Sequence, residues 1–192
     1  MGMDWRAENT WLGFGIKGGG HLFVVGAETA EIVAGRLDQF TTSLQEMNIS
    51  SFRFGLGLGA GAGVCLFMAF HTPQLGMLNG TQITPALKDF NVNISVELKV
   101  PLGNSFKLLK PIAARVAELS KAAGGIKTGL GALKASDVST LRDFAHMYYQ
   151  AVIEGSDAAN NTSISKTIVM DIPGLGYGLE VSLYWTQGEI IV

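Results

Sequence analysis

A chain of 192 residues with 14 basic and 16 acidic side chains has a formal charge of −2, which argues against nucleic-acid binding, since that needs a concentrated basic face. Hydrophobic residues make up 47% and charged residues only 16%, well under the usual quarter, and mean hydropathy is +0.29. So apolar a composition implies either a very dense core or a surface that meets something.

The length fits one domain spanning residues 1–192, with room for a full core. Cys65 is the single cysteine, so the chain has no intrachain disulfide and no thiolate metal cage. Lying inside an apolar run, it reads as a small buried hydrophobe. "MGMDWRAENT" has no apolar signal core, and no run of about 18 apolar residues predicts a transmembrane helix. The default expectation is a cytoplasmic protein, peripheral to any membrane it meets.

In chain order, "WLGFGIKGGGHLFVV" alternates at Leu12, Phe14 and Ile16, breaks at Gly18-Gly19-Gly20 and resumes. A hairpin around the triple glycine is the simplest account. In the segment 27–47, Ala30, Val33, Leu37, Phe40, Leu44 and Met47 recur at spacings of three and four, which predicts a helix. A strand through Ile32 and Val33 is the alternative.

The stretch Ser51–Phe70 is apolar at every even position from Phe52, while the odd positions Gly55 to Gly63 are all glycine. It predicts either one long bent strand or, preferred, two strands joined by an odd-length glycine turn near Gly59 to Gly63. "DFNVNISVELKVP" alternates from Phe90 to Val100 and predicts a strand with one wet face. Two helices follow, one starting at Pro111 and ending at Gly124-Gly125, the other starting at Ser136 or Asp137 and ending at Gly155. The glycine-rich link between them reads as flexible. "ISKTIVMDIP" and "LGYGLEVSLYWTQGEIIV" predict two closing strands.

The whole reads as α+β, with a mainly antiparallel sheet of six or seven strands, open or barrel-like, and two or three amphipathic helices. The succession "WLGFGIKGGGHLFVVGAE", "SFRFGLGLGAGAGVCLFMAF", "FNVNISVELKV" and "GLGYGLEVSLYW" resembles the glycine-rich blocks of SYLF domains. That resemblance covers about half the chain and implies a sheet-rich domain that binds lipid and phosphoinositide. It implies no individual residue, and the helices between Ser105 and Gly155 depart from the pattern.

No catalytic arrangement stands out. His21, His71 and His146 are far apart and form no zinc-binding spacing. No Gly-x-Ser-x-Gly elbow is present, and the Gly55–Gly63 run is strand text rather than a phosphate cradle. The expectation is a non-enzyme with no cofactor and no metal. Its partner would be a lipid, membrane or hydrophobic ligand, met through an apolar, glycine-backed sheet surface at Phe54, Leu56, Leu58, Leu66 and Met68. The alternative is a self-assembling structural protein, a homo-oligomer of a secretion or viral assembly.

Overall fold

A computed structural model describes residues 5–79, 82–83, 90–92, 106–150 and 166–192. Three strands of 26 residues dominate them: β1 (Trp11–Arg36), β2 (Gln45–Phe70) and β5 (Lys166–Ile191). Between β2 and β5 come the short strands β3 (Gln82–Ile83) and β4 (Phe90–Val92). Helices α1 (Phe106–Ala123), α2 (Ile126–Gly131) and α3 (Ala135–Tyr148) follow them. Every pairing among the described residues is antiparallel. Among the described residues the sheet order is β1-β2-β5-β3, with β4 also on β5, and the sheet does not close into a barrel.

A straight strand of this length would run about 85 Å. β1 instead doubles back, and positions equidistant from its middle meet. The Leu37 N–H donates to the Thr10 carbonyl at 3.0 Å. Lys17 Nζ lies 3.1 Å from Glu28 Oε2. A Cβ added to Gly13 would sit 2.6 Å from the Ala34 Cα, and one added to Gly19 would sit 2.5 Å from the Ala27 carbonyl oxygen. Only glycine allows so close an approach.

The turning point is Phe23, with φ +58°, where the β1–β2 ladder shifts register between Phe23 and Val25. Gly59 of β2, with φ +140°, lies opposite His21 at nearly the same level. The β2–β5 ladder continues through that level from Asn48↔Ile191 to Gly63↔Gly176. The three-stranded ribbon is therefore folded double into two leaves.

Two cores follow from this. Between the leaves, Trp11, Cys65, Phe67 and Ala69 pack with Ala30, Ile32, Ala34, Met47, Ile49 and Ile190. On the other face of the first leaf, Leu12, Phe14, Leu66, Met68 and Phe70 lie under Leu109, Ile112 and Val116 of α1 and Leu141, Phe144 and Tyr148 of α3. Successive residues along 11–14 and 65–70 thus serve opposite cores, which is why these runs are apolar or glycine at every position. Asp137 ties the helices together: its carboxylate accepts from the Lys134 N–H at 3.1 Å and from the Arg115 guanidinium at 2.7 Å.

Several sequence expectations are corrected. The segment 27–47 is strand up to Arg36, a 3-10 turn at Phe40–Thr42, and strand again from Gln45. Its apparent helical stripe mixes residues of two cores, with Ala30 and Met47 between the leaves and Val33, Leu37 and Phe40 on the helix side. The triple glycine makes no hairpin, because β1 runs through it and turns at Phe23. Ser51–Phe70 lies in one bent strand rather than two. The closing segment is likewise a single strand, irregular where Gly63↔Gly176 gives way to Cys65↔Asp171, a shift that accommodates Pro173. The α+β class with an antiparallel sheet and helices holds, and among the described residues the sheet has five strands. Helix α1 begins at Phe106, before Pro111, and the linker expected to be flexible contains α2. The strand expected over 90–100 is described only at Phe90–Val92, and the segment toward Gly155 lies outside the described residues beyond 150.

Candidate functional site: an apolar crest at the fold

The helices cover only one end of the folded ribbon. On β1, Leu12 and Phe14 are sealed beneath them, whereas Ile16 is already 54% exposed. At the crease, Leu22, Phe23, Val24 and Val25 are 52–70% exposed, and Phe52, opposite Ala27, is 61% exposed. Leu22, Val25, Ala27 and Phe52 line a shallow apolar groove floored by Gly20, Gly26, Gly59 and Ala60.

This crest arises directly from the turn. An aromatic residue at positive φ is uncommon and costs about 1–2 kcal/mol. Phe23 adopts it because the ladders on both leaves and the packing between them fix the crease at that position. Its neighbours Val24 and Val25 then stand at the outside of a bend, where neither core reaches them.

Charge is arranged around the crest in a definite pattern. From Gly18 to Ala27, β1 carries no Asp, Glu, Lys or Arg. Lys17 and Glu28 close that interval by pairing with each other, with side chains only 16% and 18% exposed. In backbone register, Arg53 of β2 stands opposite Gly26, and Glu180 of β5 stands opposite Gly59.

The five sequence candidates separate. Backbone register sets Leu58 opposite Leu22, Phe54 opposite Val25, and Leu56 opposite Leu183, all at the level of the crease. The side chains of those three lie outside the described set. Leu66 and Met68 lie at the far end, fully buried in the helix-side core. Sequence reasoning passed over Leu22–Val25. The available signal was the run "HLFVV", in which alternation lapses and four apolar residues follow one another, so that no single face can hide them.

Elsewhere, His71 Nε2 lies 3.3 Å from the Tyr149 hydroxyl, and His146 stacks on Trp5 at 4.7 Å between ring centroids. Among the described residues no three His, Cys, Asp or Glu side chains gather as a metal site. Cys65 is fully buried between the leaves. A second, more polar hollow at the opposite end is lined by Trp11, Arg36, Gln39, Ser43, Gln45 and Gln74, where the Arg36 guanidinium is held by Asp38 at 2.6 and 3.1 Å. No described helix is long and apolar enough to cross a membrane.

No family model, curated protein or solved structure matches this chain, so the likeness to SYLF domains rests on the glycine-rich blocks alone.

Proposed function

We propose that this protein is a non-enzymatic module that docks on a lipid bilayer through the crest at Leu22–Val25 and Phe52. The observation that carries this reading is the continuous exposed apolar run at the tip of a folded ribbon, with Lys17 and Glu28 paired off at its base. Contiguous exposed apolar surface of this kind marks a membrane or protein contact. The helices at the other end hold the ribbon folded and leave the crest free.

Flotation with vesicles tests it. The variant Leu22→Thr, Phe23→Asn, Val24→Thr, Val25→Thr keeps strand-forming residues and places asparagine, which tolerates positive φ, at the bend. Wild-type protein is expected to float and the folded variant to remain at the bottom. Equal flotation of the two, or none of wild type, would overturn the reading.

A second reading has one observation in its favour. β1 ends the sheet order, and among the described residues its only strand partner is β2, so edge-to-edge self-association is available to it. A discrete oligomer that forms without lipid and persists in the crest variant would favour this alternative.

A further inference from the structure

We infer that Phe23 is the anchor of the lipid contact, and that its ring is held at the crease at the expense of the fold's own stability. This rests on the reading of the crest as a membrane contact, and it names the residue on which that contact depends.

The backbone carries the first half. Among the described residues two that are not glycine have positive φ, Phe23 at +58° and His71 at +56°. His71 has an internal reason for its conformation. Its Nε2 lies 3.3 Å from the Tyr149 hydroxyl, and the two rings meet edge to face with centroids 5.5 Å apart. Phe23, by contrast, is 70% exposed, the most open of the large apolar side chains described. The crease requires a left-handed residue at this position, but it does not require a phenylalanine. Glycine or asparagine adopts the same φ with little strain, and a ring standing outside both cores adds little packing to the fold. A strained position filled by a bulky residue ill suited to it, where a better suited one would serve the turn, points to a use for the side chain.

The side chain carries the second half. Phe23 stands where the β1–β2 ladder shifts register, at the outside of the bend. Leu22, Val25 and Phe52 line the shallow groove, and Phe23 lies outside that lining. Of the four consecutive exposed residues Leu22–Val25, it has the largest apolar surface. Withdrawing a phenylalanine ring from water is enough to change a partition constant about tenfold or more.

The test takes two readouts on three proteins: wild type, Phe23→Asn, which tolerates positive φ, and Phe23→Trp, which keeps both a ring and the strain. Thermal unfolding is measured without lipid, and partition is measured onto phosphatidylcholine vesicles. Phe23→Asn is expected to unfold about 2–4 °C above wild type and to bind the vesicles about tenfold more weakly. Phe23→Trp should gain no stability and keep wild-type binding. A lower unfolding temperature for Phe23→Asn would overturn the stability half, and undiminished binding by that variant would overturn the anchor. Loss of binding by Phe23→Trp as well would overturn the role of the ring. No binding by wild type would overturn the membrane reading itself, and a raised unfolding temperature for Phe23→Asn would then still report the strained turn.

Discussion

Lys17 and Glu28 sit in the same β-strand, yet their side chains form an ion pair at 3.1 Å. An extended strand would hold them about 35 Å apart, so the pair exists only because the strand is folded at Phe23. Both side chains are largely withdrawn from water, where removing one partner strands the other's charge. Lys17→Met or Glu28→Gln alone should each destabilise the fold by about 1–3 kcal/mol, and the double variant by less than the sum. Denaturant midpoints around a double-mutant cycle would measure the coupling. Strict additivity would contradict the contact.

The glycines of β1 are unequal. A Cβ at Gly15 would lie 2.5 Å from the Glu31 carbonyl oxygen and 2.5 Å from Ile32, whereas one at Gly18 would be 3.9 Å from its nearest neighbour, Ala62. Gly15→Ala should therefore push the leaves apart and cost about 1–3 kcal/mol or more. Gly18→Ala should be nearly neutral. Thermal unfolding of the two variants checks the contrast, and equal effects would argue against face-to-face leaves.

The antiparallel sheet and the helices flanking Gly124-Gly125 were legible in the sequence, because alternation and punctuation are local signals. The crease was not. Residue 23 is phenylalanine, whose sequence gives no hint of positive φ, while the obvious breaker at Gly18–Gly20 sits in regular strand. The apparent helix through 27–47 failed for a related reason. When a strand is folded double and covered on both faces, apolar residues stop marking one side, and a helical period emerges by coincidence from two cores. The site suffered accordingly. Leu66 and Met68 belong to the apolar even-numbered pattern of β2, but only the position of the helices shows that their end of it is sealed.

Asp137 joins the start of α3 to α1 through Arg115 and the Lys134 N–H, and its residue is only 9% exposed. Asp137→Ala removes two charge-assisted hydrogen bonds and should cost about 1.5–3 kcal/mol. Loss of helical circular dichroism at a lower denaturant concentration is the expected result, with a smaller loss for Asp137→Asn, which keeps an acceptor.

Burial raises the Tyr148 phenol above its ordinary 10.0. The unfolded chain ionises this group first, so the native state binds more protons in the window above pH 10 and stability falls there as pH rises. Below pH 10 the group has no effect on the pH dependence. Tyr148→Phe should flatten the alkaline part of the stability curve, and an unchanged slope would remove Tyr148 as its source.

The most direct measurement reports which end of the molecule meets lipid. An environment-sensitive fluorophore would be attached in one variant at Val24→Cys, on the crest, and in another at Lys121→Cys, near the end of α1, and phosphatidylcholine vesicles added to each. The crest probe should shift to the blue and brighten while the helix probe keeps its aqueous spectrum. A shift confined to the helix probe, or none from either, would contradict docking by the fold of the ribbon.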